Sequence, residues 1–214
     1  MENIAIYGSG GFGQEVACLL KRINEIKPQW NFIGFFDDVK KKGDLISHFG
    51  VVIGNGEDIN SYPEKLNLVI AIGNPAVIRD KVSLICNKNI VYPNIIDPTL
   101  KVVDNETFNI GKGNVIQGAC VISCNVTIGN FNVLNGSVVL GHNVNIGDYN
   151  MLMPTTRISG SVQIGNNNFF GVGAIVLQRL KIENNVRVGA GSVLMFSPRK
   201  EGVYIGNPAK KFDY

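Results

Sequence analysis

Two histidines occur among the 214 residues, and one of them, His142, sits where an imidazole can do chemistry. It lies in the run Leu140-Gly141-His142-Asn143-Val144-Asn145. General acid–base chemistry needs a group that accepts a proton near neutral pH, and histidine titrates in that range. The competing reading is an exposed polar position with no chemistry. His48 falls in the polar stretch 40–50, which reads as a surface loop, and has no assigned role. A second chemical feature is Gly8-Ser9-Gly10-Gly11-Phe12-Gly13, which satisfies G-x-G-x-x-G. Asp37 and Asp38 follow near the spacing expected of a ribose ligand. An NAD site is the naive reading, but no domain for hydride transfer follows. Glycines and helix-start N–H groups serve any phosphate equally well.

The elements that position these residues change character near residue 95. Over 1–95, short apolar runs at 3–7, 32–36, 68–72 and 89–92 read as strands of a buried parallel sheet. Helical spacing marks 14–26 (Val16, Leu19, Leu20, Ile23) and 76–86 (Val77, Ile78, Val82, Ile85). Strand, helix, strand makes a small Rossmann-like α/β domain. Over 96–214 another period takes over. Every sixth residue from Ile110 to Leu194 is apolar, fifteen in register. Glycine often follows, as at Gly111, Gly129, Gly141, Gly147, Gly165, Gly171 and Gly189, where a turning chain is expected to need unusual dihedrals. Small or β-branched residues often fill the fifth place, as in Val126, Val138 and Val144. A sustained period of six predicts a solenoid of short strands stacked into a β-helix.

Composition narrows the classes. A formal charge of +3, with Lys40-Lys41-Lys42 as the one basic cluster, argues against a nucleic-acid partner. No apolar stretch approaches the ~18 residues of a membrane span. The start of the chain carries no signal-peptide pattern. Four cysteines (Cys18, Cys86, Cys120, Cys124) lack C-x-x-C spacing, and a reduced, cytoplasmic protein fits them best. Cys124 stands one eighteen-residue step before His142 and reads as a small wall residue rather than a nucleophile.

Hexads such as Ile128-Gly129-Asn130-Phe131-Asn132-Val133 and Ile164-Gly165-Asn166-Asn167-Asn168-Phe169 resemble those of the hexapeptide-repeat acyltransferases. So does the closing segment Gly202-Val203-Tyr204-Ile205-Gly206-Asn207-Pro208-Ala209-Lys210. With the N-terminal half included, the resemblance narrows to the sialic-acid O-acetyltransferase-like branch, which also holds UDP-4-amino-sugar and perosamine N-acetyltransferases. It implies a left-handed parallel β-helix, three hexads to a triangular coil, and a homotrimer with active sites between subunits. Acetyl-CoA is the implied co-substrate, with no metal. A carbonic anhydrase of the same repeat needs three zinc-binding histidines, which a solenoid holding only His142 cannot supply.

The resemblance also implies roles for particular residues. His142 becomes the general base, and Asn143 takes the place where the amino-sugar relatives commonly have an acidic residue. An amide oxygen orients an imidazole but does not stabilise imidazolium as a carboxylate does. The Gly160 N–H donates to the thioester carbonyl oxygen. Met151 stands where some relatives place a second histidine near the acyl donor. Val172 and Ala190 lie near the CoA chain, and Gly206 and Lys210 near its nucleotide. Gly10, Gly11, Phe12, Asp37, Asp38, Gly73 and Asn74 hold the nucleotide of a sugar substrate. The implied reaction is acetylation of the amino group of a nucleotide-linked amino sugar, of UDP-4-amino-sugar type, in surface polysaccharide or glycan biosynthesis. The alternatives are O-acetylation of a sialic-acid-like hydroxyl and a non-catalytic nucleotide-sugar-binding repeat protein.

Overall fold

A computed structural model describes residues 1–198 and 201–212. The chain divides into two compact units, Met1–Pro98 and Thr99–Tyr214. The first unit runs β1 (Glu2–Tyr7), α1 (Gly11–Ile26), β2 (Trp30–Phe36), β3 (Leu45–Ile46), β4 (Gly50–Gly54), α2 (Gly56–Asn60), β5 (Leu66–Ile70), α3 (Pro75–Leu84) and β6 (Ile90–Val91). Its sheet order is β3-β4-β2-β1-β5-β6, with β1 parallel to β2 on one side and to β5 on the other. Buried Val16, Leu19 and Leu20 fix the inner face of α1. Every residue of β5 is buried, as a central parallel strand requires.

Sequence reasoning missed β3, β4 and α2. The first two form an antiparallel pair whose turn carries His48, exposed and packed on Phe49. The signal for α2 is a capping box: Asn55 accepts from the Asp58 N–H, while the Asp58 carboxylate accepts from the Asn55 N–H.

The second unit is a parallel β-helix of two-residue strands paired at intervals of eighteen. One ladder stacks Val115–Ile116, Val133–Leu134, Met151–Leu152 and Phe169–Phe170. Another stacks Val121–Ile122, Val139–Leu140, Arg157–Ile158, Ile175–Val176 and Val193–Leu194. The third stacks Thr127–Ile128, Asn145–Ile146, Gln163–Ile164 and Lys181–Ile182. From Ile116 to Leu194 every sixth residue points inward and is at most 5% exposed. Each such side chain contributes about 1.5–3 kcal/mol by leaving water.

The corners depart from expectation. Every sixth residue from Gly113 to Gly191 adopts φ of +53° to +69°, yet only Gly113, Gly173 and Gly191 among them are glycines. A left-handed residue with a Cβ costs about 1–2 kcal/mol. Bonds to the neighbouring coil offset this, as where the Tyr149 N–H donates to the Asn130 carbonyl at 2.9 Å. Glycines after the inward residue serve another need. A Cβ on Gly129 would lie 2.6 Å from the Gly147 carbonyl oxygen of the next coil, so they permit stacking rather than unusual dihedrals.

One corner also buries a ladder of amides. Asn114, Asn132, Asn150 and Asn168 are fully enclosed, and each Oδ1 accepts a backbone N–H from the coil that follows. A hairpin, Gly202–Gly206 with Ala209–Phe212, closes the described chain and pairs onto Val186–Val188.

Candidate active site

His142 stands on the corner between the strands Val139–Leu140 and Asn145–Ile146, its side chain exposed. The backbone around it is pinned from both neighbouring coils. The Asn143 N–H donates to the Cys124 carbonyl at 3.0 Å, and the Ser161 N–H donates to the His142 carbonyl at 2.7 Å. Asn143 adopts φ of +58°, which asparagine tolerates, and brings its Oδ1 to 2.8 Å from Nδ1 of the imidazole. That amide oxygen accepts the Nδ1 proton, so in the neutral ring the Nε2 lone pair is free to act as a base. Gly160, one coil further, lies against the ring.

The three corners are chemically unlike one another. On one, side chains of the following coil cap the backbone: Asn130, Asp148, Asn166 and Asn184 accept the N–H of Lys112, Asn130, Asp148 and Asn166 in turn. On that corner these four N–H groups are already engaged within the chain. On the other two, the N–H groups of Gly160, Val172 and Ala190 make no hydrogen bond among the described residues. Val172 and Ala190 share an exposed corner, Val172 at 49%, but not the corner of His142. Within a single chain the structure therefore unites His142, Asn143 and Gly160, and leaves the other two apart. Met151 is 3% exposed, paired in register between Val133 and Phe169, and offers no surface to a ligand in the single chain. Gly206 has φ of +105° and donates its N–H to Ser192 Oγ at 3.0 Å; Lys210 is exposed on the facing strand.

In the first unit, α1 and α3 both begin at the C-terminal ends of adjacent strands, β1 and β5. There the chain order reverses across the sheet, the usual place for a ligand in an open α/β fold. Gly10 and Gly11 at the head of α1 and Gly73 before α3 have no atoms within 4 Å of an added Cβ, so a phosphate can approach the backbone. Gly8 and Gly13 are structural: a Cβ on Gly13 would collide with the Gly8 carbonyl. Phe12 is half-buried beside this turn.

Both members of the acidic pair already hold partners within the first unit. Asp37 already accepts four hydrogen bonds, from the Ser9 N–H and hydroxyl and from the Val39 and Lys40 N–H groups. It moulds the glycine turn. Asp38 accepts from the Tyr7 hydroxyl (2.7 Å), the Gly56 N–H (2.9 Å) and the Lys81 ammonium (2.5 Å). Burial and the bond to Asp38 push the Tyr7 phenol above its ordinary value. Tyr7, Asp38, Asn55, Gly56 and Lys81 line a cavity of about 480 Å³. Tyr7 and Lys81, far apart in sequence, gave no signal of this. Asn74 caps α3, its Oδ1 accepting the Ala76 N–H at 3.0 Å. A larger cavity of about 680 Å³, between α1 and the His48–Phe49 turn, includes none of the candidate residues.

Burial raises the Asp37 carboxyl, but its hydrogen bonds from Ser9, Val39 and Lys40 outweigh this and bring it down to about 2. The order it gives the turn is therefore fully present above pH ~4 and lost as pH falls through about 2. Asp37→Asn puts an NH₂ against these donors. It is expected to loosen the glycine turn, raising hydrogen exchange at the Ser9, Val39 and Lys40 amides about tenfold at neutral pH, measured by NMR, with the amides of the β-helix unchanged.

Together the units define a class: a Rossmann-like α/β domain and, in the same chain, a left-handed parallel β-helix. Residues 3–83, within the first unit, match the family described as PglD N-terminal domain. Among solved structures, a variant of perosamine N-acetyltransferase from Caulobacter crescentus, in complex with CoA and GDP-perosamine, is 23% identical with a TM-score of 0.87, covering 100% of this chain and 98% of that one. The acetyltransferase domain of PglB from Neisseria gonorrhoeae FA1090, in complex with acetyl coenzyme A, is 24% identical with a TM-score of 0.87, covering 99% of each chain. WeeI from Acinetobacter baumannii AYE is 26% identical with a TM-score of 0.86, covering 98% of this chain and 99% of that one. No curated protein matches by sequence.

Proposed function

We propose that this protein is an acetyl-CoA-dependent acetyltransferase acting on the amino group of a nucleotide-linked amino sugar. The observation that carries the reading is one corner of the β-helix: an exposed imidazole with Nδ1 engaged by Asn143, set against Gly160, whose N–H is unpaired among the described residues. The sugar amine attacks the thioester carbon and Nε2 of His142 takes its proton. The carbonyl oxygen, now an anion, accepts from the Gly160 N–H. The C–S bond then breaks and the proton passes to the departing thiolate. The nucleotide of the acceptor binds at the glycine turn and the heads of α1 and α3.

An amide partner supports a weaker base than a carboxylate would, which favours an amine over a sugar hydroxyl, since a neutral amine attacks unaided. The open N–H groups of Val172 and Ala190 suit the amide carbonyls of pantetheine, and they lie on another corner from His142. A complete site therefore needs a second copy of the chain, and a homotrimer supplies it. The perosamine and PglB structures contain CoA or acetyl-CoA. The described residues hold no helix long and apolar enough to cross a membrane and no metal-binding cluster. We place the enzyme in the cytoplasm, in glycan or surface polysaccharide synthesis.

The test is CoA release with UDP-, GDP- and CMP-linked sugars, each with and without a free amine. Turnover only with the amino forms is expected, with the UDP-4-amino-sugar favoured. Turnover with hydroxyl forms alone would make it an O-acetyltransferase, and none with any acceptor would remove the reading.

A further inference from the structure

Cys124, His142, Gly160 and Gln178 occupy equivalent places on successive coils of one corner. Three of the four carry side chains, so the coil geometry does not demand glycine there. Nor does the backbone: Gly160 is not among the residues with left-handed φ. What a side chain at 160 would meet is the imidazole. An added Cβ would lie 2.5 Å from Nε2 of His142, 2.6 Å from Cε1 and 3.1 Å from Cδ2, and these are the three nearest atoms. The ring lies over the one bare position of its column.

We propose that Gly160 is a positioning residue for His142, its missing Cβ being the space in which the reactive edge of the imidazole rests. The ring is then held from two sides. Asn143 fixes Nδ1 through a hydrogen bond, and the bare backbone of Gly160 lets Nε2 settle across the next coil. This task is separate from any donation by the Gly160 N–H, because alanine keeps that N–H and removes only the space. It rests on the proposed role of His142 but makes a claim of its own about packing.

The strain predicted for Gly160→Ala comes from one flexible side chain, so it disappears when that side chain is removed. A double-mutant cycle separates the cases. Gly160→Ala is expected to lower Tm by about 2–4 °C, and His142→Ala in the same chain to restore it. In ¹⁵N spectra the Gly160→Ala imidazole should lose the single tautomer held by Asn143. Turnover should fall roughly a hundredfold, the cost of a misplacement of about an ångström, with both KM values within a factor of two. Additive Tm changes together with an unaltered imidazole spectrum would overturn the proposal, whatever the activity. Loss of wild-type turnover with every acceptor would instead sink the acetyltransferase reading and leave the packing cycle intact, so the two failures are distinguishable.

Discussion

His142→Ala is expected to reduce acetyl transfer by about 10²–10⁴-fold, the range by which a positioned acid–base group accelerates proton transfer. The pins on its backbone, Asn143 N–H to Cys124 and Ser161 N–H to His142, survive the substitution, so the coil keeps its course. On the proposed function the nucleotide sugar binds at the glycine turn of the other unit, so its affinity should be unchanged. Steady-state kinetics with calorimetry reads both quantities. A non-catalytic nucleotide-sugar binder predicts the opposite pattern, with no turnover to lose in the wild type and the same affinity. Full activity in the variant would remove His142 from the chemistry.

Asn150→Ala should be among the most damaging single changes in the β-helix. Its Oδ1 accepts both the N–H and the Nδ2 of Asn168 at 3.0 and 2.9 Å, and its own Nδ2 donates to Asn132 Oδ1 and to the Gly165 carbonyl. Alanine strands these groups inside the shaft, where each unpartnered one costs about 1–3 kcal/mol. A loss of about 3 kcal/mol or more follows, which lowers Tm by roughly 10 °C in a chain of this length. Asn145, on an exposed face and bonded to Gln163, is the control, and its alanine variant should stay within about 0.5 kcal/mol of wild type. Equal melting of the two variants would show that the amide ladder is not what holds the coils.

The period of six was legible because it is a direct image of geometry: the last residue of each short strand points inward, from Ile116 to Leu194, without a gap. The amide ladder was hidden by the same habit of reading. Asn114, Asn132, Asn150 and Asn168 fill the place where Val126 and Val138 sit on the other corners, and only a search at eighteen reveals them as a column. Spacing also located Asp37 without showing that four donors already occupy it. Tyr7, Asp38 and Lys81 meet only after β1, β2 and α3 are assembled, so no local pattern announced them. His142 was visible as a lone imidazole in a repeat; its dependence on a missing atom at Gly160 belongs to the stacking of coils and has no counterpart along the chain.

In the buried amide column, and in the caps from Asn130, Asp148 and Asn166, side-chain oxygens accept backbone N–H groups of residues eighteen apart. The shaft is therefore modular in length but not in phase. Excising one whole turn would rejoin like rungs to like, whereas dropping one residue would rotate everything downstream and turn its greasy side chains out to water. Such a molecule tolerates being made longer or shorter only in whole storeys.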